Sequence, residues 1–181
     1  MKLSDLNINY VMTREPGGTA LGEKLRDILL HDEMNPQTET MLMFAARNEH
    51  IDKVIRPNLI KGVVVISDRF TDATYAYQAG AKSVSVDKIT VLEKWGQDEL
   101  QPDMTILFDV PVEVSIARLA SARTPDKFER EDAEFFEKLR NAYLARAKQY
   151  PTRFRIINAN QPLKTVAKEV KVTIEDFLLR S

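Results

Sequence analysis

The residues with the clearest chemical potential are arginines placed just after strand-like runs. In "VVVISDRFTDATYAYQAG" an apolar, β-branched run leads straight into Asp68 and Arg69. A guanidinium there can hold a phosphate through two parallel hydrogen bonds. A carboxylate there can position Mg2+, chiefly through waters. A salt-bridged loop pair is the ordinary alternative for the same two residues. Thr74, Tyr77 and Gln78 follow at spacings of three and one, so one helical face presents hydroxyl and amide groups to a polar ring. The run "MLMFAAR" offers Met43 or Phe44 for stacking and Arg47 for an anion, one turn apart. Met and Phe at that spacing also suit a core. A third cluster, Arg118, Arg123, Lys127 and Arg130 in "ARLASARTPDKFERED", reads as a mobile flap rather than a core helix. Its alternation with Asp126, Glu129, Glu131 and Asp132 would equally suit a solvated face. Phosphoryl transfer calls for cations of this kind, because it proceeds chiefly by positioning and charge stabilisation.

The glycines of "TREPGGTALGEKLRDILL" invite a different reading, as a loop wrapped around phosphates. The Walker A pattern G-x-x-x-x-G-K-[ST] supplies backbone amides and a lysine. Gly17 and Gly22 have its spacing, but Glu23 stands where the lysine must be, and none of the six glycines is followed by lysine. The sequence therefore holds no such loop. "EPGGT" reads instead as a turn: Pro16 restricts φ, and Gly17 and Gly18 supply positive φ ahead of a helix.

The elements that must position these groups follow from periodicity. Short apolar runs at residues 9–13, 63–67, 105–110 and 154–158 read as strands. Between them lie helical patterns. Leu21, Leu25, Ile28 and Leu29 share one face; Met41, Leu42, Ala45, Ala46 and His50 share another. Residues 86–95 and 131–150 give two more, and Leu163, Val166, Val170, Ile174 and Phe177 the last, with Pro162 in its first turn. This alternation predicts a three-layer α/β/α fold with a mostly parallel sheet covered on both faces. Ligands bind such sheets beyond the carboxyl ends of the strands, which directs attention to residues 14–19, 68–78 and the segment after Asp109.

Composition narrows the classes. At 181 residues, 44% hydrophobic and 29% charged, the chain reads as one globular domain. A net charge of −1 gives no global field for nucleic acid or an anionic membrane. With no cysteine and two histidines, disulfides, thiolate metal sites and cysteine nucleophiles are excluded, and His31 and His50 alone make no zinc site. There is no membrane-length apolar run and no targeting pattern in the first ten residues, and a cytoplasmic location is expected.

Taken together and in order, "TREPGGT", "MFAAR", "SDRFTDATYAYQ", "PDMTILFDV" and "NANQPL" resemble bacterial thymidylate kinase over nearly the whole chain. The resemblance implies a P-loop kinase fold and transfer of the ATP γ-phosphoryl group to dTMP with Mg2+, giving dTDP for dTTP biosynthesis. It implies a single nucleoside monophosphate kinase domain over residues 1–181 with a lid at about 118–131. Arg69 would hold the dTMP phosphate, with Arg26 and Arg47 as further members and Glu15 near sugar and phosphate. Thr74 and Gln78 match positions contacting the thymine edge, with Tyr77 beside them; Met43, next to Phe44, occupies the stacking position. Arg118, Arg123 and Lys127 would lie over ATP, and Gln161 and Pro162 near the adenine. A homodimer built through helices such as residues 41–50 is implied too.

Three departures stand out. The lid reads "DKFE" where the family has "DRFE", so Lys127 keeps charge but not the planar fork. "AGAKSVS" replaces a glycine-rich "GGGRG", putting Lys82 near the arginine's place. The family opens with a strand and a "GxxGxGKT" loop, whereas this sequence starts at what looks like the end of the following helix. By that measure roughly 25 residues, the first central strand and the Walker A loop, are missing. A shortened gene model or internal start is the expected cause, with little turnover from the chain itself. The alternative is a non-catalytic module that binds dTMP or a partner.

Overall fold

Two pairs of parallel strands carry the chain. β1 (Tyr10–Arg14) pairs with β2 (Val64–Asp68), from Tyr10 opposite Val64 to Arg14 opposite Asp68. β3 (Thr105–Asp109) pairs with β4 (Phe154–Asn158), from Thr105 opposite Phe154 to Asp109 opposite Asn158. The computed structural model describes residues 8–122 and 126–179, with only the backbone at Ser121 and Ala122. The chain divides into two compact units, Met1–Leu100 and Gln101–Ser181, and each strand pair belongs to one of them.

In the first unit, α1 (Ala20–His31) and α2 (Pro36–His50) follow β1. The Thr19 hydroxyl caps α1 by accepting from the Gly22 amide at 2.9 Å. The Asn35 carboxamide oxygen caps α2, with Pro36 in the first turn, where its missing N–H costs nothing. The helix continues through a π-helical segment, Ile51–Ile55, into the short α3 (Arg56–Ile60) and then β2. Beyond β2 come α4 (Thr71–Thr74), a second π-helical segment (Tyr75–Ala81) and α5 (Val86–Gln97). Phe44, Tyr75, Val84 and Ile89 form a buried apolar cluster among them.

In the second unit α6 (Val112–Ala122) and α7 (Ala133–Gln149) connect β3 to β4, and α8 (Leu163–Leu178) closes the chain. Asp132 caps α7, accepting from the Phe135 amide at 2.8 Å. Phe135, Leu139, Phe154 and Ile157 are buried here. Among the described residues no helix is long and apolar enough to cross a membrane.

Three expectations need correction. The strands do not form one sheet covered on both faces: among the described residues they make two separate two-stranded sheets. Each strand then has one hydrogen-bonded neighbour, and Met12, Phe108 and Ile156 are 72%, 51% and 55% exposed. The core face of α2 is only part of the expected Met41, Leu42, Ala45, Ala46 and His50: of these Ala46 and His50 are buried and Leu42 half-buried. Met41 and Ala45 are exposed, while Glu39, Thr40, Phe44, Ala46, Arg47 and His50 are buried. Polar side chains are stable inside because their hydrogen-bonding partners are inside as well. Arg118 is not in a flap: the helix-favouring run "VEVSIARLASA" carries α6 through it to Ala122. Arg123, Thr124 and Pro125 lie outside the described residues.

Candidate functional site

The turn at residues 15–18 is built by the strand pair below it and the helix after it. The Glu15 amide donates to the Asp68 carbonyl at 2.9 Å, so the β1–β2 ladder runs one step past the strands. Gly17 and Gly18 then take φ of +136° and +79°, the positive values expected of the two glycines. A Cβ on Gly18 would lie 2.6 Å from His50 Nε2, so the position has no room for a side chain. Glu23 closes the turn. Its carboxylate accepts from the Gly18 amide at 2.9 Å and from Arg14 Nη2 at 2.8 Å. The Arg14 hydrogen bond, then the Gly18 amide, hold this carboxyl below the usual carboxylate range. A carboxylate thus occupies the amide that a phosphate cradle would use. Arg26 adds a strap, donating from Nη1 to the Pro16 carbonyl at 3.0 Å.

Beneath the turn lies a buried polar network. Glu15 is 4% exposed and accepts from Arg47 Nε at 2.7 Å and His50 Nδ1 at 2.9 Å. Because a carboxylate only accepts, the His50 nitrogen facing it must carry hydrogen. The other ring nitrogen, Nε2, is hydrogen-bonded with the Thr13 hydroxyl at 2.6 Å. Arg47, 3% exposed, also donates from Nη2 to Thr74 Oγ1 at 3.0 Å. Its guanidinium lies over the rings of Phe44 and Phe70, 4.9 and 5.4 Å from their centroids. Among the described residues, Arg47 Nη1 is the buried side-chain polar atom without a hydrogen-bond partner.

The other residues expected on this side are placed around that network. Asp68 and Arg69 are exposed at the end of β2. Arg69 takes a φ of +72°, a strained value for a non-glycine residue, and its guanidinium lies over the Tyr77 ring at 5.6 Å. Thr74 and Gln78, one turn apart, are both buried, and Tyr77 is half-buried. Gln78 Nε2 donates to Glu39 Oε1 at 2.9 Å, and Lys82 Nζ reaches both Glu39 oxygens at 3.0 Å. Met43 is half-buried, whereas Phe44 belongs to the apolar cluster.

In the second unit, Arg118 Nη1 donates to the Ala159 carbonyl at 3.1 Å, and Gln161 Nε2 donates to the Asn158 carbonyl at 3.1 Å. Arg118 and Gln161 therefore converge on the loop after β4, where Pro162 caps α8. Lys127 stands in a turn held by Asp126 Oδ1, which accepts from the Phe128 and Glu129 amides, and its Nζ lies 5.3 Å from the centroid of the Phe128 ring. At the end of β3, Arg140 grips Asp109 through two hydrogen bonds of 2.7 and 2.9 Å. No group of three or more His, Cys, Asp or Glu able to hold a metal gathers among the described residues. Asp68 is a single exposed carboxylate, which fits Mg2+ only in the manner of an ion that keeps its waters and leans on substrate phosphates.

Sequence reasoning missed Glu39, His50 and Phe70 as members of the network. The signal existed for two of them. Glu39, Met43, Arg47 and His50 recur at four, four and three residues, one stripe of a helix, and three of the four are polar. A polar stripe at core spacing marks a buried network as readily as a solvated face.

Comparison with known proteins identifies the family. The family model "Thymidylate kinase" matches residues 1–170. A thymidylate kinase of Methylobacillus flagellatus is 59% identical over 175 residues, covering 97% of this chain and 86% of the relative. That of Nitrosomonas europaea is 52% identical over 177 residues, covering 97% and 82%. The crystal structure of thymidylate kinase from Ehrlichia chaffeensis superposes with a TM-score of 0.78 at 30% identity, covering 96% of this chain and 85% of that one. Motifs, fold and relatives agree: the chain belongs to the thymidylate kinase family, ATP-binding transferases that phosphorylate dTMP to dTDP in dTTP biosynthesis.

Proposed function

We propose that dTMP is held by the first unit, between the 14–19 turn, Arg69 and the helical surface carrying Thr74, Tyr77 and Gln78. The observation that carries this reading is Arg47 Nη1, a buried donor with no acceptor. Leaving such a group unsatisfied costs about 1–3 kcal/mol, so the site is built for an acceptor that arrives with the ligand. Arg47 is already neutralised by Glu15 at 2.7 Å, which suits it to a neutral base oxygen better than to the phosphate expected from its charge alone. Gln78 lies one turn beyond the Thr74 that Arg47 binds and brings a side-chain amide to the same helical surface. An acceptor next to an N–H donor is the O4 and N3 edge of thymine. Exposed Arg69 is the phosphate clamp, with Arg26 behind the turn, and Met43 rather than Phe44 is left to pack on the base.

When bound, ATP supplies the phosphoryl group and Mg2+ neutralises the oxygens around it. Arg118, Gln161 and Pro162 would meet the adenine end, Lys127 and Arg123 the phosphates, and Asp68 the water shell of Mg2+. These roles belong to a single kinase domain working as a cytoplasmic homodimer. Because the 181 residues contain no Gly-Lys pair, the polypeptide itself should bind dTMP weakly and turn over little ATP. Robust dTDP formation by purified residues 1–181 would overturn that. Arg69→Ala should abolish dTMP binding in titration calorimetry; an unchanged isotherm would show that the phosphate lies elsewhere.

A further inference from the structure

Glu39 is 1% exposed, yet the reading above gives it no part in holding the nucleotide. It sits in the first turn of α2, where Lys82 donates to both of its oxygens and Gln78 to one. Lys82 Nζ reaches both oxygens in an ion pair, and a carboxylate accepts without donating. Gln78 must therefore turn its NH2 toward Glu39. The two ends of a side-chain amide point apart, so Gln78 Oε1 is aimed the other way. The hydrogen bonds of the described residues place no donor on it.

We infer that Glu39, clamped by Lys82, is a positioning residue that locks the Gln78 amide with its oxygen toward the base and so sets the preference for a pyrimidine carrying N3–H. This rests on the reading that Gln78 meets the thymine edge. Thymine offers an acceptor at O4 and a donor at N3, matching Arg47 Nη1 and a fixed Gln78 Oε1. Cytosine offers a donor and an acceptor in those places, mismatching both. An amide free to rotate would satisfy either N3, whereas one pinned by a buried carboxylate cannot. Discrimination of this kind arises because the wrong ligand leaves buried polar groups unpaired.

The test is calorimetric titration of the 181-residue chain with dTMP and dCMP, for the parent, Glu39→Gln and Gln78→Ala, with thermal melts confirming that each variant is folded. A glutamine at position 39 can donate as well as accept, which releases the Gln78 amide. Its dTMP affinity should fall about tenfold and its preference over dCMP should shrink by about tenfold or more. A variant that is merely damaged loses both nucleotides in parallel, and that result, or dCMP binding that stays undetectable, overturns the lock. If Gln78→Ala weakens dTMP while Glu39→Gln leaves the preference intact, the lock fails and the base reading survives. If Gln78→Ala leaves dTMP unchanged, both fall. Should Glu39→Gln not fold, Lys82→Met keeps the carboxylate but loosens its clamp; a narrowed preference is expected there, and an unchanged one overturns the proposal.

Discussion

The two units of the chain bury different chemistry. Among the described residues, every buried polar or charged side chain, from Glu15 to Gln97, lies in the first unit. The buried side chains of the second unit, such as Val112, Phe128, Phe135, Leu139, Phe154 and Ile157, are apolar. Apolar burial stabilises without regard to direction, whereas buried polar groups are stable only in the one arrangement that satisfies them. The first unit therefore gives up packing freedom for fixed hydrogen-bonding geometry. The second unit keeps its cations on the surface: Arg118 is exposed and Lys127 half-buried.

The contrast can be broken most forcefully at Arg47. Arg47→Ala would leave the Glu15 charge buried with His50 alone, and breaking a buried pair in this way costs about 3–5 kcal/mol. Urea unfolding should show that loss together with loss of dTMP binding. A small stability change would mean that the network is loosely held. In the second unit, Leu139→Ala removes a buried side chain and should cost about 2–4 kcal/mol while leaving dTMP affinity in calorimetry unchanged. A parallel loss of dTMP binding would erase the distinction between the units.

A smaller effect sharpens the comparison. Asp109 is the second unit's acid at a strand end, gripped by Arg140, with side chains 24% and 34% exposed. The Arg140 hydrogen bonds hold the Asp109 carboxyl below the usual range, against the opposing effect of burial. A folded-state value below the unfolded one stabilises the fold above the unfolded value of about 4, and the benefit disappears as pH falls through the folded value. Arg140→Ala should therefore cost about 1 kcal/mol at neutral pH after solvent screening, with the difference from the parent vanishing in acid. A difference that persists at pH 2 would show that Arg140 acts by packing instead.

Much of this was legible along the chain. The four strands lie within one residue of where apolar runs predict them at three sites, and at 154–158 they coincide. The "EPGGT" turn was readable because positive φ is a local property of glycine. The failures share a cause. Glu39 and His50 looked like an ordinary surface acid and a residue filling an apolar face, because nothing local says where a polar side chain finds its partner. Glu15 lies 32 residues before Arg47 and Glu39 lies 43 before Lys82, separations that no periodicity detects.

By itself the amino-acid sequence determined the element types, the turn chemistry and the family resemblance, because each depends on spacing within a few residues or on motif order. Tertiary structure alone decided which of those polar residues are buried, that Arg47 is already paired and retains one unmet donor, and which way the Gln78 amide faces. Those are questions of which groups face each other once the chain has folded, and hydrogen-bond direction is settled only there.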